Sequence, residues 1–253
     1  MSKFFRKSFR FIITICILIL PIEQAVADNV LVAVASNFAD VIRQVADRFE
    51  EKTGHKIIVI PGSTGKHYAQ IMNGAPFDLF FAADVKRAKL LEEKGIAQSG
   101  SRFTYAIGTL VLWSLDKNYV DSLGRVIKEG DFRHLVIANP KLAPYGRAAQ
   151  EVLQYYKIWS PLSKRIVRGE NIGQTFQFIN SGNAKLGFVA YSQIKWLDLS
   201  VKGSFWKVPQ SLYSPIEQQA VLLNDRDSTR AFLSFMKSDE SLEIIRGFGY
   251  GTS

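Results

Sequence analysis

Cysteine is almost absent from this chain. Of 253 residues only Cys16 is one, and it lies inside the apolar run "FIITICILIL". Beyond it no disulfide framework, Cys/His zinc cluster or cysteine nucleophile can be built. Histidine is scarce as well. His55, His67 and His134 match no H-E-x-x-H pattern, and no G-x-S-x-G elbow accompanies them. After residue 20 there is no second long apolar stretch, no repeat and no low-complexity segment. Nor is there a basic block, although the formal charge is +9. A scattered positive surplus attracts anions or anionic lipid heads but is not the footprint of a nucleic-acid binder. Without cross-links, a large hydrophobic core must hold the chain together.

What is there begins with an export signal. "MSKFFRKSFR" carries Lys3, Arg6, Lys7 and Arg10, the apolar run follows, and Ala25-Val26-Ala27 forms a small-residue site. This is the layout of a signal peptide spanning residues 1–27, with cleavage before Asp28 and release into the periplasm. The ten-residue apolar core is short for a membrane span, although an uncleaved anchor is the alternative. Ile15 stands before Cys16 where a lipid-attachment site wants a small residue, so a lipoprotein is not expected. The chain from Asp28 onward holds 28 basic and 22 acidic residues, a net +6.

Strand and helix signals then alternate. "NVLVAVAS" is β-branched and apolar. In "ADVIRQVADRFEEKTG", Val41, Ile42, Val45, Ala46 and Phe49 form the stripe of an amphipathic helix that Gly54 closes. "KIIVIPG", a helix from about Lys66 to Met72, "FDLFFAAD" and "VKRAKLLEEKG" continue the series. Such a βαβαβα order implies a parallel sheet with helices on both faces. "YAIGTLVLWSLDK" reads as one strand long enough to pass from one lobe to another, and "SLYSPIEQQAVLLN" as an extended return. The expected architecture is α/β with two interleaved lobes, each a mostly parallel sheet flanked by helices. Lobe 1 takes residues 28–105 and 214–253 and lobe 2 residues 106–213, with hinge crossings near 106 and 213.

Ligands of open α/β sheets bind at the carboxyl ends of strands, beside helix starts. Four segments qualify. Ala35-Ser36-Asn37 ends the first strand, and either polar residue also serves as a plain helix cap. Gly62-Ser63-Thr64-Gly65-Lys66 is a glycine-rich turn entering a helix. A phosphate-binding P-loop needs G-x-x-x-x-G-K-[ST]; here Pro61 stands where the first glycine belongs and His67 follows the lysine, so that reading fails. What remains is an anion-binding helix start or an ordinary capped turn. The loop 139–146, with Pro140, Pro144, Tyr145 and Gly146, offers an N–H near Tyr145 and its phenol. Glu170-Asn171-Ile172-Gly173 offers Asn171 and main-chain donors. Together these segments supply hydroxyl and peptide donors with little charge. That chemistry replaces the hydration of a small dianion without a counter-cation, and Lys66 is expected only to tune the field from a helix face.

"VLVAVASNFADVIRQVADRFEEKTGHKI", "GSTGKHYAQIMNGAPFDLFFAAD", "ANPKLAPYGRAAQEVL" and "GNAKLGFVAYSQI" resemble the periplasmic molybdate-binding proteins of ABC uptake systems, over nearly all of the chain after residue 27. The resemblance implies a type II periplasmic binding protein fold that captures molybdate, and tungstate with it, between two lobes. It implies ligand contacts from Ser36 and Asn37, from Thr64 with Ser63 beside it, from Tyr145 chiefly through its main chain, and from the N–H of Ile172. Molybdenum would be held only as molybdate, without a cofactor. The implied partner is an inner-membrane ABC permease, and the protein is expected to be a monomer. Some family members carry a ligand tyrosine at the position of Ala190; here Tyr191 comes one residue later and is expected to face away. Sulfate, with the same charge and shape, is the alternative ligand. A sensor's binding subunit is an alternative role. An exported hydrolase is the remaining alternative, with Ser63 and His67 as its only tempting pair; no enzymatic activity is expected.

Overall fold

The structure is a computed structural model that describes residues 28–197 and 203–252. The expected signal peptide, with Cys16, lies outside the described residues. The elements are β1 (Asn29–Ala35), α1 (Ala39–Thr53), β2 (Lys56–Gly62), α2 (Thr64–Met72), β3 (Leu79–Ala82), α3 (Val85–Glu93), β4 (Phe103–Gly108), β5 (Leu110–Ser114), α4 (Val126–Glu129), β6 (Leu135–Ala138), α5 (Pro144–Tyr155), α6 (Trp159–Leu162), β7 (Ile166–Gly169), α7 (Ile172–Asn180), β8 (Leu186–Ala190), α8 (Tyr191–Lys195), β9 (Ser204–Lys207), β10 (Ile216–Leu222), α9 (Asp227–Phe235) and α10 (Asp239–Gly247).

Two five-stranded sheets result, ordered β2-β1-β3-β10-β4 and β7-β6-β8-β5-β9. In the first, β1 pairs parallel with β2 and β3, while β10 pairs antiparallel with β3 and β4. In the second, β6 pairs parallel with β7 and β8, while β5 pairs antiparallel with β8 and β9. Each sheet is therefore mixed, with four strands pointing one way and one reversed. The reversed strands, β10 and β5, are those that follow the two passages of the chain between sheets.

Alternation decides the packing. Val30, Val32 and Val34 of β1 face one side with Phe38, Phe49, Phe81 and Phe232, and Ala33 faces the other with Phe80 and Leu91. One-sided strands would alternate apolar with polar; these are buried on both faces and read as continuous apolar runs. The stripe on α1 is buried as its spacing requires, and Gly54 ends the helix at φ 76°, giving its N–H to Glu50 O.

The run "YAIGTLVLWSLDK" differs from its reading as a single strand. It breaks at Thr109 into β4 of the first sheet and β5 of the second. The run stays apolar across the break because both pieces are largely buried in their own sheets. The return passage covers residues 208–215, between β9 and β10.

Candidate binding site

The carboxyl ends of five strands meet between the sheets. β1 runs into a 3₁₀ turn, Ser36–Phe38, and then α1. β2 runs into Ser63, which caps α2 by accepting Lys66 N–H at 3.3 Å. β3 ends beside Ala83. β6 leads to α5, which starts on Pro144 and has no side-chain cap, so the N–H groups of its first turn, Tyr145 among them, lack a capping oxygen. β7 leads to α7, capped by Asn171 through Gln174 N–H at 2.9 Å. Four helix starts thus aim their positive ends at one place.

A narrow cavity of about 10 Å³ lies there. Ser36, Asn37, Ser63, Thr64, Tyr145 and Ile172 all line it. The rest of its wall is Asn171, glycine, alanine and proline; no lining residue carries a charge.

Each residue is held for a stated reason. Thr64 Oγ1 accepts the Ala83 N–H at 3.0 Å, and Ser63 Oγ accepts Lys66 N–H, so both hydroxyls still have a hydrogen to give. Ser36 Oγ donates to Asn171 Oδ1 and accepts Gly173 N–H, both at 3.1 Å, joining β1 to α7 across the cavity. Asn37 Nδ2 donates to Gln218 Oε1 at 2.7 Å and to Tyr250 Oη at 3.0 Å. Tyr250 Oη donates in turn to Asn37 O at 2.7 Å and accepts from Ser192 Oγ at 2.8 Å. Burial pushes the Tyr250 phenol up to about 12 and the Tyr145 phenol well above its ordinary value, so both stay neutral donors.

Ties across the cleft rim hold the two sheets' helices together. Gly65 N–H donates to Leu142 O at 2.8 Å, and Arg87 Nη2 donates to Lys141 O at 2.9 Å. A Cβ on Gly65 would lie 2.9 Å from Leu142 Cα, so this close approach requires glycine. Lys66 Nζ pairs with Glu170 Oε1 at 3.0 Å, with both side chains about half exposed. Lys66 therefore bridges the cleft mouth rather than standing alone on its helix face.

Tyr191 does not line the cavity. Its ring tilts against Phe205 with Lys207 Nζ above it. His67 is buried, with Nδ1 set 3.1 Å from Gln70 Oε1 and its ring edge-on to Phe77 and Phe80. Burial lowers its pKa, leaving a neutral imidazole committed to packing, while Ser63 is committed to capping. The Ser63–His67 pairing that a hydrolase would need is not made. No group of three or more His, Cys, Asp or Glu suited to a metal ion occurs among the described residues.

Sequence reasoning missed Gln218, Tyr250 and Ser192. The one available signal was the polar run Glu217-Gln218-Gln219 in the strand "IEQQAVL", of which Gln218 and Gln219 are buried.

Comparison with known proteins agrees with this architecture. The profile of the bacterial extracellular solute-binding protein family matches residues 30–251. The chain is 46% identical over 230 residues to the molybdate-binding protein ModA of Azotobacter vinelandii, covering 90% of this chain and 91% of that protein. It is 47% identical over 231 residues to ModA of Rhodobacter capsulatus, covering 90% of each. The solved structure of the Azotobacter vinelandii periplasmic molybdate-binding protein superposes with a TM-score of 0.85 at 41% identity, over 88% of this chain and 99% of that one. These relatives are solute-binding proteins, not enzymes. With four helix starts around one uncharged cavity between two sheets, and a family profile spanning nearly every described residue, this chain belongs to the bacterial extracellular solute-binding protein family.

Proposed function

We propose that this protein captures molybdate, and tungstate with it, between two lobes in the periplasm and delivers it to an inner-membrane ABC permease. The observation that carries the reading is the cavity wall. It has three aliphatic hydroxyls and four helix starts but no charged side chain. A tetrahedral dianion offers lone pairs on every oxygen, so it is matched by many neutral donors sharing its charge. Those donors strengthen as lobe closure excludes water. A protonated phosphate gains from a carboxylate acceptor, and none lines this cavity. Sulfate has the same charge and shape as molybdate; the identity to proteins named for molybdate favours the larger ion.

In this reading Ser63 and Thr64 donate through free hydroxyls, Ser36 by turning its hydroxyl from Asn171 Oδ1 to the ligand, Tyr145 and Ile172 through main-chain N–H groups, and Asn37 through its amide. The lobes are the bodies built on the two sheets, and the hinge lies where the chain passes at Thr109 and across residues 208–215. The protein works as a monomer. Ligand contact with both lobes shifts the equilibrium toward closure, because only the closed form offers all the donors at once.

Calorimetry of the chain from Asp28 onward against molybdate, tungstate, sulfate and phosphate tests this. Tight binding of molybdate and tungstate with weak sulfate and phosphate is expected. Tight sulfate binding with no molybdate heat would overturn it.

A further inference from the structure

Three buried polar atoms beside the cavity make no hydrogen bond of good geometry: Asn37 Oδ1, Gln218 Nε2 and Tyr145 Oη, the last lying near the Tyr250 phenol. Their side chains are 5%, 1% and 0% exposed. Unmet buried hydrogen bonds are costly, and native proteins leave few of them.

These three are not scattered. Asn37 and Gln218 are bonded to each other through Nδ2 and Oε1. A Cβ placed on Gly108 would overlap the Tyr145 hydroxyl and lie 3.1 Å from Gln218 Nε2, so these two groups flank one point. Gly108 ends β4 just before the chain crosses between sheets, and Gln218 stands on β10 just after it returns. The cluster thus spans both crossings. It joins Asn37 of the first sheet to Tyr145 of the second sheet's α5.

Polarity gives the cluster a function. Asn37 spends its amide nitrogen on Gln218 and Tyr250, which leaves an oxygen, the wrong pole for an oxyanion. Turning the Asn37 amide end for end requires a donor where Gln218 Oε1 now stands. Gln218 provides one by turning with it. Its Nε2 then meets Asn37 Oδ1, and its Oε1 becomes an acceptor beside the Tyr145 hydroxyl. The neighbours tolerate the change. The Tyr105 hydroxyl, 3.2 Å from Gln218 Oε1, is also 3.2 Å from Ala82 O. The Tyr250 hydroxyl, 3.0 Å from Asn37 Nδ2, donates to the oxygen that replaces it by giving up Asn37 O, which the Ser192 hydroxyl also reaches at 3.5 Å. One concerted reversal thereby uses all three orphaned atoms.

We propose that Gln218 is a positioning residue for oxyanion capture, setting which pole of the Asn37 amide is offered to the ligand and linking that choice to Tyr145 across the lobe crossing. The proposal rests on the oxyanion reading above. Its test is molybdate calorimetry on Gln218→Met, which keeps the shape and removes both polar poles. Affinity is expected to fall about 10-fold or more. In an Asn37→Ala background the same substitution is expected to change affinity less than about twofold, because its route is gone. A merely structural residue would give additive losses, and additivity overturns the proposal, as does an unchanged affinity in Gln218→Met. Should that variant not fold, the side-chain amide NMR signals of Asn37 and Gln218 in the unmodified protein decide. Both shift together on saturation with molybdate if the proposal holds, and their constancy sinks it. Ser36→Ala with Thr64→Ala separates the two levels. If that pair leaves molybdate binding intact, the site reading itself fails; if it abolishes binding while Gln218→Met is silent, only the positioning role fails.

Discussion

The two walls of the cavity are made of different material. The wall from the first sheet is side chains: Ser36, Asn37, Ser63 and Thr64, three of them at least nine-tenths buried. The wall from the second sheet is mostly main chain: the uncapped start of α5 at Pro144 and Tyr145, and the start of α7 at Ile172. Side-chain donors can be deleted one at a time. Main-chain donors are carried by any residue but proline, so other substitutions remove them only by moving the backbone. A ligand bound as proposed would be gripped by one wall that point mutation can erase and another that most point mutations can only displace.

The largest effect on binding is expected on the first wall. Ser36→Ala combined with Thr64→Ala removes two hydroxyl donors to the proposed dianion. Hydrogen bonds to charged groups are worth about 1.5–3 kcal/mol each, so molybdate affinity should fall about 100-fold or more. Calorimetry reads it directly, and an unchanged dissociation constant would break the comparison at its stronger end.

On the second wall the corresponding attack is on Gly146. A Cβ there would collide with the Ala138 carbonyl oxygen and lie 2.6 Å from its carbon, and both atoms are strand backbone. Gly146→Ala must therefore push the start of α5 away from β6. Overpacking of this kind costs about 1–3 kcal/mol of stability. Affinity should drop with it by about 10-fold, since the Tyr145 N–H moves with the helix. Thermal unfolding and calorimetry on the same variant check both. A destabilised variant that binds normally would show that the α5 start makes no ligand contact.

The difference between the walls also explains how much could be read beforehand. The β-branched strands, the α1 stripe and the hydroxyls of Ser36, Ser63 and Thr64 follow from local pattern, because residue type and chain position suffice to place them. A crossing between lobes near residue 106 was expected from the length of the run, but its division at Thr109 into two strands was not, because β4 and β5 are both largely apolar. Gly108 there clears space for Tyr145, which lies in another element altogether. Gln218 and Tyr250 were invisible for the same reason. They reach Asn37 from 181 and 213 residues away, a proximity that only the second chain crossing creates. Lys66 was legible as a helix residue but not as half of a pair, since Glu170 stands 104 residues downstream.

That pair gives a smaller prediction about how the walls close. Lys66 and Glu170 are half exposed, and such surface pairs contribute about 0–1 kcal/mol. Lys66→Met should weaken molybdate binding by no more than about fivefold at low salt. The difference from the unmodified protein should shrink toward nothing as ionic strength rises and screens the pair. A loss that persists at high salt would mean that Lys66 contacts the oxyanion itself.

The smallest effect is on stability and comes from behind the first wall. The His67 ring fills the space under Gly62, where a Cβ would lie 2.5 Å from Nε2, and so supports the turn that carries Ser63. Burial, with a minor contribution from the Lys66 charge, holds its pKa below the ordinary 6.5. The unfolded chain therefore binds a proton at a pH where the folded one does not. Stability should be flat above about pH 6.5, fall as the pH drops from there toward the lowered folded value, and level off once both states are protonated. Denaturant unfolding between pH 7.5 and 5 reads this window above the range where carboxylates titrate. His67→Gln should flatten it. If the slope survives in that variant, the acid sensitivity arises elsewhere and His67 supports the turn by shape alone.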